Sequence, residues 1–214
     1  MSDLSTIQKI AVYAIPLIFA ITIHEAAHAY VADRCGDNTA RILGRLSLNP
    51  IRHIDPIGTL LFPMMCLFLG GFIFGWAKPV PIGYNQLHNP KRDMFWVALA
   101  GPASNFAMAL IWVLIFKLSL HVGVGYFAIP LNLMAQAGVA INISLMLLNL
   151  LPILPLDGGR IVFSILPPQL GNHYARTEPY GFFILIILLV MGGLSFILQP
   201  LYTFIISYMF ALIQ

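Results

Sequence analysis

The sequence predicts an all-α polytopic membrane protein with about five transmembrane helices, one re-entrant segment over 57–77 and a small surface β element. Three observations predict it. Only 9% of the 214 residues are charged and 59% are hydrophobic, against roughly 25% charged in soluble domains. Several apolar tracts reach the ~20 residues that a helix needs to cross a bilayer. The Lys and Arg residues, eleven in all, fall mostly in the short segments between those tracts, as topology signals do. This placement accounts for the pI near 9.0 without a nucleic-acid partner, and makes the lipid bilayer the expected environment.

The first span is expected over 8–32. No basic segment with a small-residue cleavage site precedes it, and His24, Glu25 and His28 would spoil a signal-peptide core, so the segment is expected to stay in the mature protein. Residues 39–48 partly alternate, which suits a short strand or hairpin. Residues 78–82, Lys-Pro-Val-Pro-Ile, read as extended because proline disfavours helix in its preceding neighbour. The two are expected to pair into the surface β element, whose edge would accept a peptide as an added strand; a plain surface loop is the alternative. The 57–77 tract has the length of a span but carries Pro63 and Gly70-Gly71. Further spans are expected over 94–116, 131–151 and 180–213, the last long enough for two crossings with Gly192-Gly193 and Pro200 as candidate breaks. Cys35 and Cys66 read as free thiols.

Charge decides how 57–77 is read. If it dips in and returns, Arg34, Arg41, Arg45, Arg52, Lys78, Lys91, Arg92, Arg160 and Arg176 share one side, and only Lys9 and Lys117 remain outside it. A full crossing splits the cations almost evenly and gives no orientation. The positive-inside rule therefore favours a re-entrant segment, with those loops cytosolic. The whole chain, 1–214, reads as one membrane domain with no stretch long enough for an appended soluble domain.

Chemistry concentrates in His24-Glu25-Ala26-Ala27-His28. Residues four apart share a helix face, so the two imidazoles can hold one zinc ion while Glu25 handles a water beside it. Ionisable groups at membrane depth are costly unless partnered, and a metal suits this spacing. The third ligand must come from elsewhere. Val31 and Arg34 stand where soluble relatives of this motif place Gly and His, and Asp33 lies about 140° round the helix from His28. His53, His88, His121 and His173 sit in polar loops, where hydrogen-bonded imidazoles are the usual finding. Asp157 is the better candidate, because Pro152 and Pro155 break the helix just before it and a broken helix aims side chains into a cavity. The alternative is an Asp-Gly turn with Asp157 paired to Arg160.

Three motifs in order, His24-Glu25-Ala26-Ala27-His28, Gly101-Pro102-Ala103-Ser104-Asn105, and Asn149-x-x-Pro152 leading to Leu156-Asp157-Gly158, make the sequence resemble the site-2 protease family of intramembrane zinc metallopeptidases, over roughly residues 10 to 165. The resemblance implies one Zn2+ per chain held by His24, His28 and Asp157, with Glu25 as general base. It implies Asn149 as a substrate or oxyanion contact and Asn105 as a residue shaping the cavity, helix packing being the alternative for Asn105. Asn142, seven residues before Asn149, reads as packing or cavity lining. The implied substrates are transmembrane proteins or remnant peptides, cut near the cytosolic face of the cell membrane. There is no room for the peptide-binding or nucleotide-sensing domains of many relatives, and 57–77 looks like an insertion. The rival readings are a divalent-metal transporter, a catalytically latent membrane scaffold, and a membrane hydrolase acting on another amide or ester. No motif specifies the substrate or the oligomeric state.

Overall fold

Ser5 and Gln8 start the first helix: Ser5 Oγ accepts from the Gln8 N–H at 3.3 Å and Gln8 Oε1 accepts from the Ser5 N–H at 2.9 Å, so two donors left over at the helix start are satisfied. The computed structural model describes residues 5–53, 55, 78–121 and 128–211; the expected re-entrant segment 57–77, with Cys66, lies outside them. Helix α1 (Thr6–Arg34) carries the buried Pro16 without breaking. It ends at Cys35, a free thiol, and Gly36. Gly36 has φ +104, and a Cβ there would lie 2.6 Å from the His88 ring, so only glycine permits this exit.

The further helices among the described residues are α2 (Thr39–Ile42), α3 (Pro90–His121), α4 (Ala128–Asn149), α5 (Asp157–Ile165), α6 (Pro168–Ala175), α7 (Glu178–Val190) and α8 (Gly193–Ala211), with short 3-10 turns at Pro50–Arg52 and Tyr84–Gln86. Four of these, α1, α3, α4 and α8, are long and apolar enough to cross a membrane, which makes this a multi-pass membrane protein. Helix α7 has 13 residues and falls short of the ~20 a span needs. The 180–213 tract breaks at Gly192 (φ +72) as the sequence suggested, whereas Pro200 sits inside α8.

Helix α3 is the centre of the fold and packs on α1, α4 and α5. Lipid tails are as apolar as leucine, so helices in a bilayer associate through close backbone approach at small residues. The buried set follows that rule: Ala20, Ala29 and Ala32 on α1, Ala98 and Ala109 on α3, Ala135 and Ala137 on α4 are all at most 1% exposed. Where Trp112 of α3 crosses α4, a Cβ on Gly138 would lie 2.3 Å from the indole. Helix α8 joins through Met209, which packs with Val113, Val139 and Ile143, and is otherwise largely exposed.

Helices α1 and α3 run antiparallel. Ala32 packs with Leu87, Met94 and Val97, and the His88 N–H donates to Cys35 O at 2.8 Å, so the chain enters α3 beside the end at which it left α1.

The expected surface β element does not form: among the described residues there is no strand. Residues 39–42 are the short helix α2, and 78–82 have no regular structure. The physical reason is that other acceptors take the donors a strand ladder would use. Val80 N–H goes to Glu25 (2.8 Å) and Gly83 N–H to Asp37 (2.6 Å). Lys78 N–H goes to His53 O, and Arg45 and Leu46 N–H both go to Ala40 O. The fully buried Asp37, which also accepts from Thr39 N–H at 3.0 Å, ties the two segments together through a side chain instead of a sheet.

Candidate metal centre

His24 and His28 face α3 from one side of α1, and three α3 residues at four-residue spacing receive them. Val97 O lies 2.7 Å from His28 Nδ1, and Asn105 Oδ1 lies 2.5 Å from His24 Nδ1. Gly101, between them, leaves room for both rings: a Cβ there would lie 2.3 Å from His28 Nε2 and 2.5 Å from His24 Cε1.

The proton positions follow from the acceptors at the ends of these chains. Asn142 Nδ2 donates to the Gly138 carbonyl at 2.8 Å, so its Oδ1 is the atom that accepts from Asn105 Nδ2 at 3.0 Å. Asn105 therefore presents Oδ1 to His24, and His24 Nδ1 is the donor. His28 Nδ1 faces a carbonyl and is likewise the donor. In the neutral imidazoles both Nε2 atoms are left with lone pairs, and they point at the same place.

Asp157 meets them there. The two Nε2 atoms are 3.1 Å apart, and each is 3.3 Å from Asp157 Oδ2, an oxygen that is buried and has no hydrogen-bond partner. Three acceptors converging with no donor between them is a costly arrangement without a cation. A tetrahedral ion with bonds of about 2.0–2.1 Å separates its ligands by about 3.3–3.4 Å, close to the spacing found. The donor set and its geometry therefore fit zinc, and His24, His28 and Asp157 are the one group of three or more such side chains among the described residues that could hold a metal ion. Asp157 lies in α5, outside the four spans.

The turn between α4 and α5 places Asp157. Gly158 and Gly159 let α5 start directly against it, since a Cβ on Gly158 would lie 2.3 Å from Leu150 O and one on Gly159 2.5 Å from Leu154 N. The Asp-Gly turn paired to Arg160 is not what forms. Arg160 Nε reaches only Pro155 O, at 3.5 Å.

The other sequence candidates separate cleanly. Glu25 is beside the cluster but outside it, with Oε2 accepting from Val80 N–H at 2.8 Å. Asn149 lines the same cavity, of about 850 Å³, with its amide on Leu145 O at 3.0 Å. Asn105 is fully buried and orients His24. Asp33 pairs with Arg41, and His53, His121 and His173 bond backbone carbonyls, so none of them joins the cluster. Sequence reasoning missed three contributors: the Val97 carbonyl, the Val80 N–H and the space left by Gly101. The first two are backbone groups, which residue identity does not reveal; Gly101 stood inside a quoted motif, four residues before Asn105.

Comparison with known proteins gives a consistent picture. The profile of peptidase family M50 matches residues 12–129 and 126–192. The chain is 38% identical over 190 residues to the Bacillus subtilis (strain 168) protein named "Putative zinc metalloprotease YwhC", covering 87% of this chain and 84% of that one. It is 32% identical over 183 residues to the protein named Rip2 in Mycolicibacterium smegmatis and in Mycobacterium tuberculosis (strain H37Rv), covering 83% of this chain and 66% of each of those. No solved structure matches the chain significantly.

Proposed function

Because the chain belongs to peptidase family M50, the site-2 protease family, and is a zinc metalloprotease, we propose that it is an intramembrane endopeptidase. It hydrolyses peptide bonds in or near transmembrane segments of membrane proteins or their remnant peptides. The observation that carries this reading is the convergence of two imidazole lone pairs and an unpartnered carboxylate oxygen within apolar helices, with Glu25 beside them.

In this reading His24, His28 and Asp157 hold the ion, and residues 1–214 act as one domain. When bound, zinc would polarise the scissile carbonyl and lower the pKa of a water towards about 7. Glu25 takes the proton of the attacking water and passes it to the leaving amine. Its Oε2 is engaged by Val80 N–H, which fixes the carboxylate and leaves Oε1 for that proton. Asn105, with Asn142 behind it, is a positioning residue that keeps the His24 lone pair on the ion; outer hydrogen bonds of this kind are typically worth 10–100-fold in metal affinity or activity. Asn149 lines the cavity, where its side chain can turn from Leu145 O to a developing oxyanion. A substrate helix hides its carbonyls in its own hydrogen bonds and must unwind before attack, so helix-destabilising substrate residues favour cleavage.

The antiparallel α1 and α3, joined where Cys35 meets His88, support a topology in which the chain between them begins and ends on one side. With the cationic loops on that side, the positive-inside rule puts it in the cytosol and the metal centre near the cytosolic face of the cell membrane.

The test compares membrane proteomes of cells expressing the wild type and Glu25→Gln. Transmembrane proteins or remnant peptides are expected to accumulate with the variant alone. Identical proteomes, with zinc bound in both, would contradict a proteolytic role.

A further inference from the structure

Arg160 stands in the first turn of α5, three residues after Asp157, and lines the same cavity as His24, Glu25, His28 and Asp157. It is the one Lys or Arg among the described residues of that lining. Its guanidinium makes no ion pair with a carboxylate among the described residues: Asp157 faces the two histidines, and Asp33 pairs with Arg41. Its sole hydrogen bond is the long contact to Pro155 O at 3.5 Å. The five planar donors of this lining residue are therefore almost uncommitted.

Its position is also unfavourable for stability. A helix carries partial positive charge at its N-terminus, where anions are stabilising and cations are not. Arg160 is set at that end of α5, and the one acidic residue of the same turn, Asp157, turns its Oδ2 to the two histidines and makes no ion pair with it.

Resting on the peptidase reading above, we infer that Arg160 is a specificity-determining residue that binds a carboxylate of the substrate beside the scissile bond. Guanidinium and carboxylate match as a bidentate pair, and the pair strengthens where water is scarce. Residues one helical turn apart have Cβ atoms about 5–6 Å from each other, and an extended peptide advances about 3.3 Å per residue. The carboxylate therefore belongs about two or three residues from the bond that is cut. It is supplied either by an Asp or Glu side chain or by a free C-terminus.

The test uses the full-length chain carrying Glu25→Gln in liposomes, and reads binding of synthetic single-span peptides, so that it does not depend on turnover. The probes carry Asp, Asn or Lys at randomised positions past the end of one shared apolar helix, each made with a free or an amidated C-terminus. The Asp peptides are expected to be retained about tenfold over Asn, as for a charge-assisted hydrogen-bonded contact. Arg160→Gln should abolish that preference, Arg160→Lys should keep part of it, and Arg160→Glu should turn it towards Lys, with zinc content equal in all. Preference for Asp regardless of the terminus assigns the side chain as the source; preference for the free acid alone assigns the terminus. Equal retention of all probes, or a preference that survives Arg160→Gln, would overturn the inference and leave the peptidase reading standing. Absence of proteolysis by the wild-type chain would overturn that reading without touching the binding result.

Discussion

Asp157→Ala is expected to empty the metal centre and, with it, to abolish cleavage. The variant removes the one anionic member of a set in which His24 Nε2 and His28 Nε2 each lie 3.3 Å from the same carboxylate oxygen, and leaves two neutral imidazoles to bind a dication alone. Affinity should fall by more than the roughly 10–100-fold that follows loss of a partner outside the coordination shell. Zinc analysis of the purified full chain is the measurement, with Asp157→Asn beside it: Asn keeps the shape at the α5 start and lacks the charge, so a drop shared by both variants reports the lost ligand and not a displaced helix. Full zinc occupancy in either would refute the three-ligand assignment.

Glu25→Gln should do the opposite to metal and the same to turnover. Glu25 is outside the cluster of converging atoms, so one zinc per chain is expected to remain. The Gln side chain can still accept from Val80 N–H through its own oxygen, so the local fold should hold. What it cannot do is take a proton from water, and loss of a positioned general base lowers kcat by about 10²–10⁴-fold. Because KM reports binding where chemistry is slow, it should move little. The assay follows kcat and KM in proteoliposomes, on a substrate recovered from the membrane comparison. A zinc-loaded variant that cleaves at the wild-type rate would remove Glu25 from the mechanism, and metal flux indifferent to the substitution would favour transport.

Much of this was legible from residue types because membrane burial makes polar residues conspicuous. His24, Glu25 and His28 stood out in an apolar run, and the two prolines before Asp157 announced a broken helix. The structure brings His24, His28 and Asp157 together, the last pair 129 residues apart in sequence, without any other histidine. The break at Gly192 was likewise readable, since glycine at φ +72 has no substitute of equal ease. The β element was not. Alternation at 39–48 and the prolines at 79 and 81 describe local preference, but strand pairing depends on where backbone donors go, and Glu25 and Asp37 capture the ones at Val80 and Gly83. From sequence Asn142 reads as packing or cavity lining, since its partner sits 37 residues away on another helix. Only the chain of bonds from Gly138 O through Asn142 and Asn105 shows that it fixes the tautomer of His24.

The central claim is that two imidazoles and one carboxylate hold a zinc ion inside this helix bundle. Zinc K-edge X-ray absorption on the purified full-length chain tests it most directly. The account predicts low-atomic-number ligands only, two of them imidazoles, with bonds of about 2.0–2.2 Å, and loss of the signal in Asp157→Ala. A sulfur at about 2.3 Å, or an unchanged imidazole and oxygen shell in that variant, would contradict it.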